Sequence, residues 1–222
     1  MVTYYAHRAA EYERVYTIPR WQDDLEQIRG QIRAVFAERR VFEVACGTGY
    51  WTRYAAERAL AVHATDVNDD TLALARAKTY SAPVTFERRD AYLPATEPPR
   101  FDGGLAALWL SHVDLARLDG FLRAFHSHLR PGATVFMFDE RVGDERERRS
   151  PTSRTDAAGN RYEMRRLESG AQFEIVKNTF DGASLDRAIG PYAAGLVYRE
   201  LRNFWTLEYA VADSAAGASA VH

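Results

Sequence analysis

The residues with the clearest chemical potential in this 222-residue chain lie in its first half. Glu43, Ala45, Gly47 and Gly49 stand at alternate positions in the run Val-Phe-Glu-Val-Ala-Cys-Gly-Thr-Gly-Tyr, residues 41–50. A short apolar run that ends in Gly-x-Gly and continues into a helix-compatible segment, residues 51–58, reads as a strand, a tight turn and a helix start. Glycines let the backbone turn sharply and let a ligand approach the main chain. The N–H groups at a helix start suit a polar or anionic ligand group. Glu43 falls inside the strand, where a carboxylate needs a partner, and a cationic ligand group would serve. Two further acids follow: Asp66 closes the apolar run 61–65, and Asp90-Ala91 follow the run 84–88. In a doubly wound sheet the acid closing the second strand lies where a ribose would sit, roughly 20 residues past the glycines. The acid after the third strand comes next along the same sheet edge.

The set Glu43-x-Ala45-x-Gly47-x-Gly49, Asp66 and Asp90-Ala91 resembles the class I S-adenosylmethionine-dependent methyltransferases, of the small-molecule type. The usual motif there reads Asp/Glu-x-Gly-x-Gly-x-Gly, and Ala45 takes the place of its first glycine. The resemblance covers roughly residues 41–211. It implies S-adenosyl-L-methionine as cofactor, S-adenosyl-L-homocysteine as product and no metal. It places Ala45, Gly47 and Gly49 against the methionine part, Glu43 toward its ammonium, and Asp66 on the ribose with Val67 beside the adenine. Asp90 and Ala91 meet the adenine edge, and Ala107 passes the methionine backbone. Tyr5 and Trp21 are expected near the cofactor, although a packed tryptophan is an equal reading of Trp21. Tyr12, Tyr16, Trp109 and Glu140 are expected toward the acceptor. The stretch Leu108-Trp109-Leu110-Ser111-His112-Val113 is similar to one that many family members carry, and it offers His112 as the catalytic residue. Three roles stay open for His112: general base, acceptor-orienting group, or a histidine bonded only to backbone.

Competing functions separate on spacing. A nicotinamide fingerprint wants Gly-x-Gly-x-x-Gly, and counting from Gly47 puts Thr52 where its third glycine belongs. A cofactor-binding protein without catalytic activity stays compatible with the sequence, because methyl transfer from a sulfonium has no obligatory side chain. The Asn/Asp-Pro-Pro-Tyr/Phe motif of nucleic-acid amino-methyltransferases does not follow the fourth strand, which favours a small acceptor.

Composition agrees. The formal net charge is −2, so no broad basic surface for nucleic acid is implied. Cys46 is the only cysteine, which precludes an intrachain disulfide. No apolar run is long enough to span a membrane, and a cytoplasmic protein, monomeric or homodimeric, is expected.

The elements that position these residues alternate. The expected fold is a Rossmann-like α/β doubly wound, seven-stranded sheet, mostly parallel with an antiparallel C-terminal strand, in a single domain. Residues 1–40 supply a Tyr-rich N-terminal helical lid (Tyr5, Tyr12 and Tyr16 at helical spacing) and a packing helix over 21–39, with apolar positions Leu25, Ile28, Ile32, Val35 and Phe36. Residues 41–140 form the cofactor-binding core, with strands over 41–45, 61–65, 84–88, 103–108 and 133–138 and helices over 51–58, 69–78 and 115–129. Residues 141–180 are an insertion: a mobile loop over 141–159 and a β-hairpin from 162–167 and 172–178. Residues 181–211 give a short helix and two final strands, and 212–222 a disordered tail.

Overall fold

The computed structural model describes residues 12–141, 143, 150–166 and 170–212. Expectations that fall on residues 1–11, including Tyr5 and most of the lid, and on the tail beyond 212 lie outside the described residues, as does the Tyr12 side chain.

The main sheet is built from β1 (Arg40–Val44), β2 (Ala61–Asp66), β3 (Val84–Arg88), β4 (Phe101–Ala107), β5 (Leu129–Glu140), β9 (Ala193–Glu200) and β10 (Phe204–Val211). Its order is β3-β2-β1-β4-β5-β10-β9. The first five strands are parallel, and β10 runs antiparallel between β5 and β9. Helices α1 (Gln22–Val35), α2 (Tyr50–Ala56) and α3 (Asp69–Arg76) cover one face; α4 (Leu118–Ser127) and α5 (Gly182–Ile189) cover the other. The two-residue alternation of a strand explains the sorting. Val41 joins the core under α1–α3 with Leu25, Ile28, Ile32 and Phe36, whereas Phe42 and Val44 join Phe121, Phe125, Leu185 and Trp205 on the opposite side. Glu43 shares the parity of Val41 and is thereby committed to the interior, 1% exposed.

Strand direction creates the site. From β1 the chain moves outward to β2 and β3; from β4 it moves the other way to β5. The loops leaving the carboxyl ends of β1 and β4 therefore diverge, and a crevice opens between them. Both exits contain a non-glycine residue in the left-handed region, Ala45 (φ 52°) and Leu108 (φ 54°). Such backbone costs about 1–2 kcal/mol for an L-residue, and it concentrates at functional sites.

The insertion differs from the expected hairpin. It is a three-stranded antiparallel sheet, β6 (Thr152–Thr155), β7 (Arg161–Arg166) and β8 (Gln172–Val176), with β6 drawn from the stretch read as loop. The Ser-Pro-Thr-Ser composition that suggested a loop is overridden by pairing with β7. Several helix ends also move inward. Residues 115–117 form a 3-10 turn before α4, which ends at Ser127 and lets β5 begin at Leu129, ahead of Pro131-Gly132.

A side-chain amide locks this small sheet to the main domain. Asn160, 1% exposed, accepts from Leu115 N (2.8 Å) and Asn178 Nδ2 (3.0 Å) and donates to Asp114 Oδ1 and Asp156 Oδ2 (both 3.1 Å). Deleting it takes the acceptor from the half-buried Leu115 N–H and from one hydrogen of the buried Asn178 amide, each unsatisfied group costing about 1–3 kcal/mol. Asn160→Ala is expected to lower unfolding stability by about 2–4 kcal/mol, read as an earlier denaturation midpoint. A loss no larger than that of an exposed polar residue would show that the lock is not needed.

Candidate active site

The crevice holds a cleft of about 310 Å³. Its floor is Ala45 and Ala107, at the ends of β1 and β4; one wall is Asp66, Val67, Asn68 and Thr71; the far side is Asp90, Ala91 and Tyr92; and its other end is Leu108, Trp109 and His112. Thus Ala45, Asp66, Val67, Asp90, Ala91, Ala107, Trp109 and His112 are brought together on one cleft. Arg89, Asp114 and Arg117 line it too, Arg117 lying 3.5 Å over the Tyr92 ring. No sequence signal marked Asn68, Thr71, Tyr92 or Arg117.

Asp66 organises the entrance to the glycine turn. Its Oδ2 accepts from Gly47 N (2.9 Å), and its Oδ1 accepts from Asn68 N (2.8 Å) and Thr71 Oγ1 (3.3 Å). Burial pushes its carboxyl above the usual range, and those N–H and O–H donors work against the rise. Gly47 (φ 56°) and Gly49 (φ 76°) both need the left-handed region. A Cβ at Gly47 would meet nothing, so the main chain there is open to approach; at Gly49 it would run into the Tyr80 hydroxyl and Ala75.

Glu43 sits behind this turn. Neither of its carboxyl oxygens has a hydrogen-bond partner among the described residues, and Thr52, alongside it, also lacks one. Burial pushes the carboxyl up to about 8; the neighbouring Thr52 hydroxyl works against the rise and the Asp66 carboxylate adds to it. A buried acid without a partner, next to a turn with exposed main chain, fits a ligand that brings an ammonium group and a carboxylate together.

At the far end of the cleft, His112 is 7% exposed. Its Nδ1 lies 2.7 Å from the Val176 carbonyl, which can only accept, so Nδ1 carries the hydrogen and Nε2 carries the lone pair. Burial lowers its pKa to about 3; the Lys177 ammonium adds to the lowering and the Asp139 carboxylate opposes it. Lys177, from the insertion, donates to Ser111 Oγ (2.7 Å) and Asp139 Oδ1 (3.0 Å). Burial pushes Asp139 up, but Lys177, His112 and the Ser111 donors outweigh it and hold the carboxyl below its ordinary range.

Other expected site residues lie elsewhere. Trp21 is packed in the core against Phe204, ring centroids 5.1 Å apart, and does not line the cleft. Tyr16 is buried too: it stacks on Tyr50 at 3.8 Å, and its hydroxyl accepts from Trp51 Nε1 at 3.0 Å. Both have aromatic neighbours on α2 or β10 that the local spacing does not disclose. Glu140 is half-buried, 4.0 Å from Lys177, and outside the cleft lining. Of the N-terminal segment, Glu13 reaches the glycine loop, accepting from Thr48 Oγ1 at 2.7 Å and pairing with Lys78. Among the described residues no group of His, Cys, Asp and Glu is arranged to hold a metal ion, and no helix is long and apolar enough to cross a membrane.

Residues 41–132 match the family model of the methyltransferase domain. Solved structures share the fold: a DhpI–SAH complex (24% identity, 95% of each chain, TM-score 0.77) and a DhpI–SAM–HEP complex (26% identity, 94% of each chain, TM-score 0.76). A putative S-adenosylmethionine-dependent methyltransferase from Listeria monocytogenes is similar at 17% identity over 87% of this chain and 98% of that one, with a TM-score of 0.61. No curated protein matches the chain.

Glu43 gives a pH test that needs no ligand. A carboxyl whose folded pKa exceeds its unfolded one contributes stability below the unfolded value, which is lost as pH rises through the folded value. Glu43 should therefore weaken the free protein as pH rises from its ordinary value of 4.5 to about 8. Glu43→Gln keeps the shape without the ionisation. Denaturant curves should find its stability falling less with pH, the advantage reaching about 2–4 kcal/mol near pH 8. Parallel pH dependences for the two proteins would mean that Glu43 is not held neutral.

Proposed function

This chain carries a class I S-adenosylmethionine-dependent methyltransferase domain, and on that premise we propose that it moves a methyl group to an oxygen or nitrogen of a small-molecule acceptor. The observation that supports this most is the arrangement of His112. A neutral imidazole with its lone pair on Nε2 shares one cleft with Asp66, Asp90 and the main chain of Ala45 and Ala107. The presence of HEP beside SAM in the DhpI complex favours a small acceptor as well.

S-adenosylmethionine supplies, when bound, a methyl group already activated by the sulfonium charge. The fit of the residues is chemical. Glu43 would take the ammonium, giving its buried carboxyl the partner it lacks. The main chain of Ala45, Gly47 and Gly49 would meet the rest of the methionine part, and Ala107 its backbone. Asp66 would accept from the ribose hydroxyls with lone pairs beyond those given to Gly47, Asn68 and Thr71, and Val67, Asp90 and Ala91 would line the adenine. Trp109 would wall the acceptor side.

His112 Nε2 would accept the hydrogen of an acceptor O–H or N–H and so aim the neighbouring lone pair. Alignment of this kind can contribute several kcal/mol. A base with a pKa near 3 is too weak to ionise a hydroxyl beforehand. An oxygen that is gaining a third substituent, however, becomes strongly acidic, and the proton then passes downhill to Nε2. The weak basicity suits late proton transfer. It also keeps the imidazole neutral, and therefore able to accept, across the physiological range.

The tests follow the roles. Titration calorimetry should find S-adenosylmethionine and its demethylated product bound at micromolar level or better, on the order of −8 kcal/mol; no heat and no thermal shift with either would refute the reading. Asp66→Ala should weaken that binding at least about tenfold, through loss of charge-assisted hydrogen bonds worth roughly 1.5–3 kcal/mol each. With an acceptor in hand, His112→Ala should cut turnover by about 10²-fold with cofactor affinity nearly unchanged. The wild-type rate should hold well below pH 6.5, because the neutral form of His112 persists there. A change confined to KM would leave His112 an orienting group, and no kinetic change would remove it from the reaction.

A further inference from the structure

Three consecutive residues of the insertion grip three consecutive residues after β4. The Val176 carbonyl accepts from His112 Nδ1 at 2.7 Å. Lys177 Nζ donates to Ser111 Oγ at 2.7 Å, and Asn178 N donates to the Ser111 carbonyl at 2.7 Å. Asn178 Nδ2 reaches the Val113 carbonyl at 2.9 Å. From the sheet side, Asp139 Oδ2 accepts from Ser111 N at 3.0 Å, and Asp139 Oδ1 accepts from Lys177 Nζ at 3.0 Å. The segment that presents His112 to the cleft is thus held between β5 and the end of β8. A buried ammonium joins the two, Lys177 being 4% exposed and Asp139 fully buried.

We propose that Lys177 is a positioning residue for His112: by occupying Asp139 it keeps that carboxylate from pairing with the imidazole, which stays an uncharged hydrogen-bond acceptor at Nε2.

The chemistry is a competition for one carboxylate. A buried carboxylate near a histidine ordinarily favours imidazolium, as in a His–Asp pair. An imidazolium has hydrogens on both nitrogens and cannot accept from an acceptor hydroxyl. Here the ammonium takes an oxygen of Asp139, and Ser111 N takes the other. Among the described residues, the charged groups that act on His112 are Lys177 after β8, Arg165 on β7 and Asp139 on β5. Glu140 stands 4.0 Å from Lys177, and Glu163 pairs with Arg165 at 2.6 Å. Among the described residues, two cations and one carboxylate act on the ring while Lys177 is present. With Lys177 neutral, Asp139 would act on the ring unopposed from that side. The inference rests on the reading of His112 given above, but its test can be read without turnover.

Nitrogen-resolved imidazole NMR on the full chain gives both tautomer and titration midpoint. In the native protein His112 should be the Nδ1–H tautomer and stay neutral to below about pH 5. Lys177→Gln can still hydrogen-bond Ser111 and Asp139 but lacks the charge; it should raise the midpoint by about one pH unit or more. Lys177→Arg, which restores the charge, should return the midpoint toward the native value. The acid limb of the rate profile should move with the NMR midpoint. A native His112 that titrates near its ordinary value, or carries its hydrogen on Nε2, would overturn the proposal without any variant. A folded Lys177→Gln protein with an unmoved midpoint would overturn it as well. A midpoint that moves while the rate profile does not would support the role of Lys177 and instead remove His112 from the reaction.

Discussion

Asp66 is the residue on which the architecture of the cleft depends. Its carboxylate joins the glycine turn, through Gly47 N, to the start of α3, through Asn68 N and Thr71 Oγ1. Those two segments leave neighbouring parallel strands, and nothing in a parallel ladder fixes how their loops stand relative to each other. One buried acid does so here. The conformation it secures is unfavourable in isolation: Ala45, Gly47 and Gly49 all lie in the left-handed region within five residues. The turn is held open by hydrogen bonds to charge, which are about twice as strong as those between neutral groups. The same atoms line the cleft, so the group that shapes the turn is also placed to read a ligand.

The opposite end of the cleft is fixed by different means. His112 belongs to a short segment between β4 and α4 with little helical support of its own. Its position comes from the insertion, whose strand end supplies a carbonyl, an ammonium and an amide in sequence. One half of the cleft is therefore built by the shared fold and the other by an added sheet. Burial raises the Glu43 carboxyl, behind the glycine turn, and lowers the His112 imidazole, in the cleft, so that each is pushed toward its uncharged form.

The end of the cleft built by the loops after β1, β2 and β3 was legible because its residues are close in sequence and their types are constrained locally. A glycine at φ 76° beside a packed Tyr80 tolerates little else. An acid at the end of β2 meets the glycine turn whatever the distant chain does. Asp90-Ala91, one strand further on, line the same cleft. The end of the cleft at His112 was legible only in part. His112 could be singled out, but Lys177 could not: a lysine in a strand of alternating character reads as an exposed residue, and its burial depends on a contact with Asp139, 38 residues earlier. Trp21 and Tyr16 misled for a related reason. Aromatic residues suit a lid and a core equally well, and only the tertiary partners Phe204, Tyr50 and Trp51 decide. β6 was missed because its four residues are polar and borrow their conformation from β7.

The strand order has a consequence for how the molecule is made. β10 is the last of the described strands, yet it lies inside the sheet, between β5 and β9. Until it is synthesised, β5 presents a bare row of N–H and C=O groups along a strand that contains Phe136, Met137 and Phe138. β9 meanwhile has no strand to join. A nascent chain therefore passes through a stage in which the crevice between β1 and β4 can already exist while an apolar edge remains open, the kind of edge that recruits other chains. The half of the sheet that carries the crevice can form first, and its open edge is covered only when the final described strand arrives.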